Sequence, residues 1–297
     1  MSKGLQTYHF LLHFTVFLFG FTGILGRLIT VPGDLLVWYR TAIAFVSILV
    51  ILLIRNTSLL LRPQEVVRLL MIGLVVGAHW ITFFHAIKIS NVSVALACLS
   101  VTTLVVSLLE PLFFRTRISV AEVIGGVFIV LGLMLIANVQ LNYMAGIITG
   151  LTSAILSGLF TIFNKKIAAQ YDGFIISWYE MLGAHLGVAG FILFTEPVKF
   201  QTVLPAMDWV WLIILGTVCT AFAYWSTVFV LKKLSAYTVV MAINLEPIYG
   251  TLMAAFMFNE YNELHPGFYA GSLLIILSVF LYSLYKQRTG RLKNVKE

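Results

Sequence analysis

Gly20-Phe21-Thr22-Gly23-Ile24-Leu25-Gly26-Arg27 comes back, 138 positions on, as Gly158-Leu159-Phe160-Thr161-Ile162-Phe163-Asn164-Lys165. Trp38-Tyr39-Arg40 comes back as Trp178-Tyr179-Glu180 at an offset of 140. Trp80, Lys88, Ser90 and Gly126 come back as Trp225, Lys233, Ser235 and Gly271 at 145. Order is kept and the offset barely drifts, so the chain holds two related halves.

The surroundings of these pairs are apolar. Of the 297 residues 60% are hydrophobic and 10% charged, far too little charge for a soluble protein. A bilayer span needs roughly 20 apolar residues. Such runs recur at 8–29, 33–54, 66–87, 92–114, 119–137, 143–168, 173–194, 208–231, 236–258 and 265–286, ten in all. The links are too short for a soluble domain. The expected fold is therefore an all-α integral membrane protein, with five-helix repeats over 1–139 and 140–288 and a basic tail over 289–297. The first apolar run is full length and lacks an A-x-A-like site, which reads as no cleavable signal peptide. Cys98 and Cys219 fall inside spans and read as packing residues. The net charge of +7 sits at span ends, unlike a nucleic-acid footprint.

Basic residues mark cytoplasmic loops. With the amino terminus inside, the inner segments carry 15 basic residues, among them Arg55, Arg62, Arg115, Lys165, Lys166, Lys232 and Lys233. The outer side carries three, Arg27, Lys88 and Lys199. Both termini are thus expected in the cytoplasm. Five spans per half is an odd number, so the second half enters from the opposite side. An inverted pair offers two states of similar energy, one open to each face, around a site near the midplane.

These features resemble the drug/metabolite transporter superfamily, specifically its EamA-type ten-helix exporters. The matching pieces are the arginine of Trp38-Tyr39-Arg40, the stretch Asn244-Leu245-Glu246-Pro247, the acidic end Phe258-Asn259-Glu260, and Gly271. The first half departs from the pattern, with Val101-Thr102 in place of the Glu-Pro pair and Arg115 in place of the terminal glutamate. The resemblance covers nearly the whole chain. It implies outward transport of small metabolites, often amino acids or amphipathic compounds, in the bacterial cytoplasmic membrane. It also implies a central cavity lined largely by spans 1, 3, 4, 6, 8 and 9.

Glu246-Pro247 is the sharpest local signal. Proline removes a backbone donor and breaks the helix, which leaves the Ile243 carbonyl without its usual partner. A carboxyl beside it must face a cavity or a partner. Glu246 is expected to bind a cationic group of the substrate or to exchange a proton; the alternative is a structural kink. Tyr249, three residues on, could orient it. Arg40 and Glu180 occupy matching positions, but inversion places them at depths about 10 Å apart, which disfavours a direct pair. Each either anchors its own half or meets the cavity separately.

His79 and Trp80 in span 3 match Tyr224 and Trp225 in span 8, and are expected either to line the cavity or to pack the bundle. His79 could also titrate near neutral pH. Asn164 and Asn244 either grip the solute or tie helices together. Glu110-Pro111 reads as a helix-end feature beside Arg115 or Arg117. Gly20, Gly23, Gly26, Gly125, Gly126 and Gly132 read as packing devices. Lys165-Lys166 and Lys232-Lys233 are expected to snorkel to the interface.

His79 and His85 are six apart and do not share a helix face, so neither a metal site nor a cofactor is expected. An intramembrane enzyme would need a nucleophile with its base, and a channel would need rings of polar groups. A secondary transporter fits the repeat better than either. No G-x-x-x-x-G-K-[ST] motif is present, which leaves proton antiport or facilitated diffusion. The expected partners are a small-molecule substrate, protons in the antiport case, and the lipid bilayer.

Overall fold

The computed structural model describes residues 3–90, 92–137, 143–257 and 266–294, whose regular structure is helical with no strand among them. In chain order come α1 (Lys3–Leu28), α2 (Gly33–Ile54), α3 (Pro63–Ile89), α4 (Val92–Leu99), α5 (Thr102–Phe114) and α6 (Val120–Ala137). The second half holds α7 (Met144–Ile167), α8 (Gly173–Thr195), a 3-10 turn over Pro197–Gln201, and α9 (Ala206–Gly216). There follow a π-helical stretch over Thr217–Phe222, α10 (Ala223–Val230), α11 (Ala236–Ile243), α12 (Glu246–Met257) and α13 (Pro266–Asn294). Phe258-Asn259-Glu260 and the side chains of Arg27 and Pro247 lie outside the described residues. The helix of α13 runs on to Asn294, through most of the stretch expected as a separate tail.

Helix starts follow local chemistry. The Asp172 carboxylate accepts from the Phe174 amide at 2.8 Å and caps α8. Pro63 opens α3, where no amide is needed, and the Glu65 carboxylate reaches back to the Arg62 amide at 2.9 Å. Among the described residues six segments are long and apolar enough to cross a bilayer, namely α1, α2, α3, α7, α8 and the run Ala206–Val230. The other four expected spans fall on shorter apolar pieces. Expected spans 4 and 9 are each broken, into α4–α5 and α11–α12.

The two halves pack by the same contacts with their roles exchanged. Helix α1 meets α10 and α12, while its repeat partner α7 meets α3 and α5. A Cβ on Gly20 would lie 2.9 Å from the Gly250 amide nitrogen, and one on Gly158, its repeat partner, 2.7 Å from Val105. Such crossings require glycine. Gly23, expected to serve packing, faces open space instead.

The ends show the same exchange. On the face carrying the α1–α2 connection, Lys199 bonds Asp34 at 2.6 Å, and the Thr30 amide and hydroxyl donate to Asp208 at 3.0 and 2.7 Å. On the opposite face Arg55 approaches Asp172 at 3.6 Å, and the Tyr171 hydroxyl donates to Glu65 at 2.9 Å. Asp34 and Asp172 open matching helices, as do Asp208 and Glu65. The first clasp is the tighter and more buried. Burial opposes the Lys199 charge, but its bonds to Asp34 and Glu196 prevail and hold its ammonium above its ordinary range.

Lys165 does not snorkel. Its ammonium donates to the Leu231 and Leu234 carbonyls at 2.8 and 2.7 Å and closes the end of α10. Lys165→Met leaves both carbonyls without this donor. The expected loss is about 2 kcal/mol, read as a lower thermal unfolding midpoint in detergent; an unchanged midpoint would show that water replaces the bond.

Candidate functional site

Proline signals one break in the sequence, and the structure contains two. Helix α11 stops at Ile243, Asn244 and Leu245 turn, and α12 restarts at Glu246. Pro247 is therefore the second residue of a new helix, where a missing amide is harmless. In the first half α4 stops at Leu99, Ser100 and Val101 turn, and α5 restarts at Thr102. No proline or glycine announces that break.

Asn244 joins the two breaks. Its side-chain nitrogen donates to the Thr103 hydroxyl at 2.6 Å and to the Val240 carbonyl at 2.7 Å. Between the breaks lies a small, partly open cavity. Its polar lining is Ser100, Thr102, Ser157, Asn244 and Glu246, and Leu96, Leu99, Val240 and Ile243 complete the wall. Helix breaks at membrane depth are tolerated only where they are packed in protein or line such a space.

Arg40 is 3% exposed, and its Nε donates to the Thr220 hydroxyl at 3.1 Å. Its guanidinium carbon stands 4.4 Å from the Trp80 ring centroid, a cation–π contact. Among the described residues no hydrogen bond reaches its two terminal nitrogens. Glu246, on the cavity wall, lies within electrostatic reach of Arg40. Arg40 and Glu246 thus come from opposite halves, and among the described residues both keep unused hydrogen-bonding positions. Thr220 can serve Arg40 because the backbone is π-helical there, with the hydroxyl donating to the Leu215 carbonyl five residues back at 2.7 Å.

Glu180 sits apart, fully buried. Its Oε2 accepts from the Tyr224 hydroxyl at 2.5 Å and from the Asn164 amide nitrogen at 3.0 Å. Among the described residues no bond joins Glu180 to Arg40, as expected from their mirrored depths. Asn164 also donates to Tyr224 at 3.1 Å, so it belongs to this cluster and not to the cavity wall.

The remaining candidates separate. The His79 ring nitrogen is held by Ser153, 2.8 Å from its hydroxyl and 3.0 Å from its carbonyl, which ties α3 to α7. Trp225 stacks on Phe174 at 4.6 Å, and Arg55 stands 4.9 Å above that ring. Trp225 thus belongs to the end of the molecule, while its repeat partner Trp80 covers Arg40. Tyr249 turns its ring against Phe17 at 6.1 Å, and among the described residues no hydrogen bond joins it to Glu246. Glu110 serves a helix end, that of α11. Its two oxygens accept from the Ala236 and Tyr237 amides at 3.1 and 2.8 Å, and cap α11.

Sequence reasoning missed Thr220, Ser153, Thr103 and the hydroxyls at the first break. A lone threonine or serine in an apolar run gives no signal; only the fold shows which helix it faces.

Three comparisons with known proteins bear on identity. No curated protein matches. A crystal structure of a protein 18% identical in sequence superposes with a TM-score of 0.77, covering 94% of this chain and 97% of that one, which shows a shared fold. The description "EamA-like transporter family" fits residues 6–138 and again residues 144–284. Matched twice, half by half, over nearly its whole length, the chain belongs to the EamA-like transporter family of multi-pass membrane proteins.

Proposed function

We infer that the protein is a secondary transporter that moves a small metabolite, an amino acid or amphipathic compound, outward across the bacterial cytoplasmic membrane. It does so by alternating access, with ten spans, both termini inside, and repeats over 1–139 and 140–288. The observation that carries this reading is Glu246 on the wall of a cavity bounded by two broken helices, within electrostatic reach of Arg40 from the opposite half. Unpartnered guanidinium nitrogens suit a carboxylate, and a cavity-facing carboxylate suits an ammonium. A zwitterion satisfies both at once, and the lining of Leu96, Leu99 and Ile243 accepts its apolar part.

The test is counterflow in proteoliposomes with a panel of amino acids and amphipathic metabolites, with and without a pH gradient. Saturable, substrate-accelerated exchange is expected. Glu246→Gln should slow it at least about tenfold, since a hydrogen bond to a charged group is worth about 1.5–3 kcal/mol. Wild-type rate with an unchanged pH dependence would remove Glu246 from the mechanism. Failure of every solute to move would remove the transport reading itself.

A further inference from the structure

Glu180 and Glu246 have opposite surroundings. Glu246 stands on the cavity wall in the field of Arg40. Glu180 is 0% exposed and has no cationic partner among the described residues. Helix α3 crosses so closely here that a Cβ on Gly73 would overlap the Glu180 backbone carbonyl. On α2, Arg40 is turned to Thr220 and Trp80, and Asp34 is paired with Lys199 at the end of the molecule. Helix α7 offers Asn164, and α10 offers Tyr224. On α8 itself His185 is turned away, to the Trp38 carbonyl at 3.2 Å. Two donors converge on Oε2, while Glu180 Oε1 is buried with no hydrogen-bond partner, as is Asn164 Oδ1.

A carboxylate in such a place would bury an uncompensated charge, which is far more costly than burying a neutral acid. A proton on Oε1 removes that charge and leaves both bonds to Oε2 intact. We propose that Glu180, positioned by Tyr224 and Asn164, is a proton-binding site separate from the substrate cavity, and that its proton is the coupling ion of the transport cycle. The coupling part rests on the transporter reading above. The balance is simple: the carboxylate takes one proton from water on one face, crosses the change of state as a neutral acid, and returns that proton to water on the other face. No bond other than O–H forms or breaks.

Contact from this site to the substrate centre is continuous. The Tyr224 ring lies 6.2 Å from that of Trp80, edge to face, and Trp80 covers Arg40. Tyr224 follows closely on the π-helical stretch that places Thr220 against Arg40. A shift of α10 that moves Tyr224 off Glu180 therefore also disturbs the Arg40 pocket, which is what coupling between two sites requires.

Infrared spectroscopy of the full chain in lipid at neutral pH tests the site without any substrate. An un-ionised carboxylic acid gives its own carbonyl stretch. That band should be present in the wild type, lost in Glu180→Gln and kept in Glu246→Gln. In Tyr224→Phe it should move to higher frequency, because a donor to the carboxyl is gone; a purely structural tyrosine would leave it in place. The amide introduced by Glu180→Gln retains an oxygen for both donors, so folding is preserved. A band that survives in Glu180→Gln overturns the proposal.

The same proteins in proteoliposomes, with a mixture of the common α-amino acids as probe, test the coupling. Glu180→Gln should lose accumulation driven by a pH gradient while keeping counterflow. Undiminished gradient-driven accumulation in Glu180→Gln overturns the coupling role even if the band is assigned to Glu180. Absence of counterflow in the wild type would instead overturn the transporter reading and the coupling with it, and the infrared result would still decide the proton site.

Discussion

Arg40→Met is expected to lower the initial rate of counterflow exchange at low substrate about a hundredfold, since losing one partner of a buried charge pair commonly removes about 2–5 kcal/mol. Three effects combine. The substrate carboxylate loses its donor, Glu246 loses the nearby positive charge, and Trp80 loses the cation beneath its face. Arg40→Lys should fall between, because an ammonium keeps the charge but cannot reproduce the planar fork that serves Thr220 and stacks on Trp80. The thermal midpoint, measured on the same preparations, separates loss of transport from loss of fold. Wild-type exchange by Arg40→Met in folded protein would take Arg40 out of the site.

Gly183→Leu is expected to destabilise the protein by about 3 kcal/mol or more, the upper end of overpacking effects. A Cβ at this position would lie 3.0 Å from both the carbonyl carbon and the Cα of Leu70, and nearer still to the carbonyl oxygen. These are backbone atoms and cannot rotate aside. Helices α3 and α8 would have to separate, and with them the Gly73–Glu180 contact one turn away. The control is Gly190→Leu on the same helix, where a Cβ meets nothing within 4 Å. Thermal unfolding in detergent should show a large drop for the first and little for the second. Equal midpoints would mean that the crossing is softer than its spacing implies.

Much of this architecture is legible in the sequence. The Trp38/Trp178 and Trp80/Trp225 offsets give the duplication, and apolar runs give the helices. Pro247 gives the second-half break to within three residues. The break at Ser100-Val101 is not legible, because a helix can be interrupted by packing from neighbours without a residue that forbids helix. The π-helical stretch over Thr217–Phe222 is hidden for the same reason.

The site was half visible. Repeat symmetry relates Arg40 to Glu180 and so gives their depths, but depth does not say which way a side chain faces across the bundle. Arg40 turns to Thr220 and Trp80, and Glu180 turns to Tyr224. Trp80 and Trp225 make the same point: equivalent in the repeat, they cover a cation at the centre and join a ring stack at one end.

The two end clasps are related by the repeat yet unequal, 2.6 Å for Lys199–Asp34 against 3.6 Å for Arg55–Asp172. If the protein alternates as proposed, unequal clasps would make it spend unequal time open to its two sides. The side behind the tighter clasp offers a binding-ready population less often, and apparent affinity falls in proportion to that population. Half-saturation should therefore require more solute on the side of the α1–α2 connection. If nothing drives the cycle, the ratio of maximal rate to half-saturating concentration must still be equal from both sides, because a passive device has no net direction at equilibrium. Unequal clasps would thus make this protein a lopsided sensor of concentration without making it a pump.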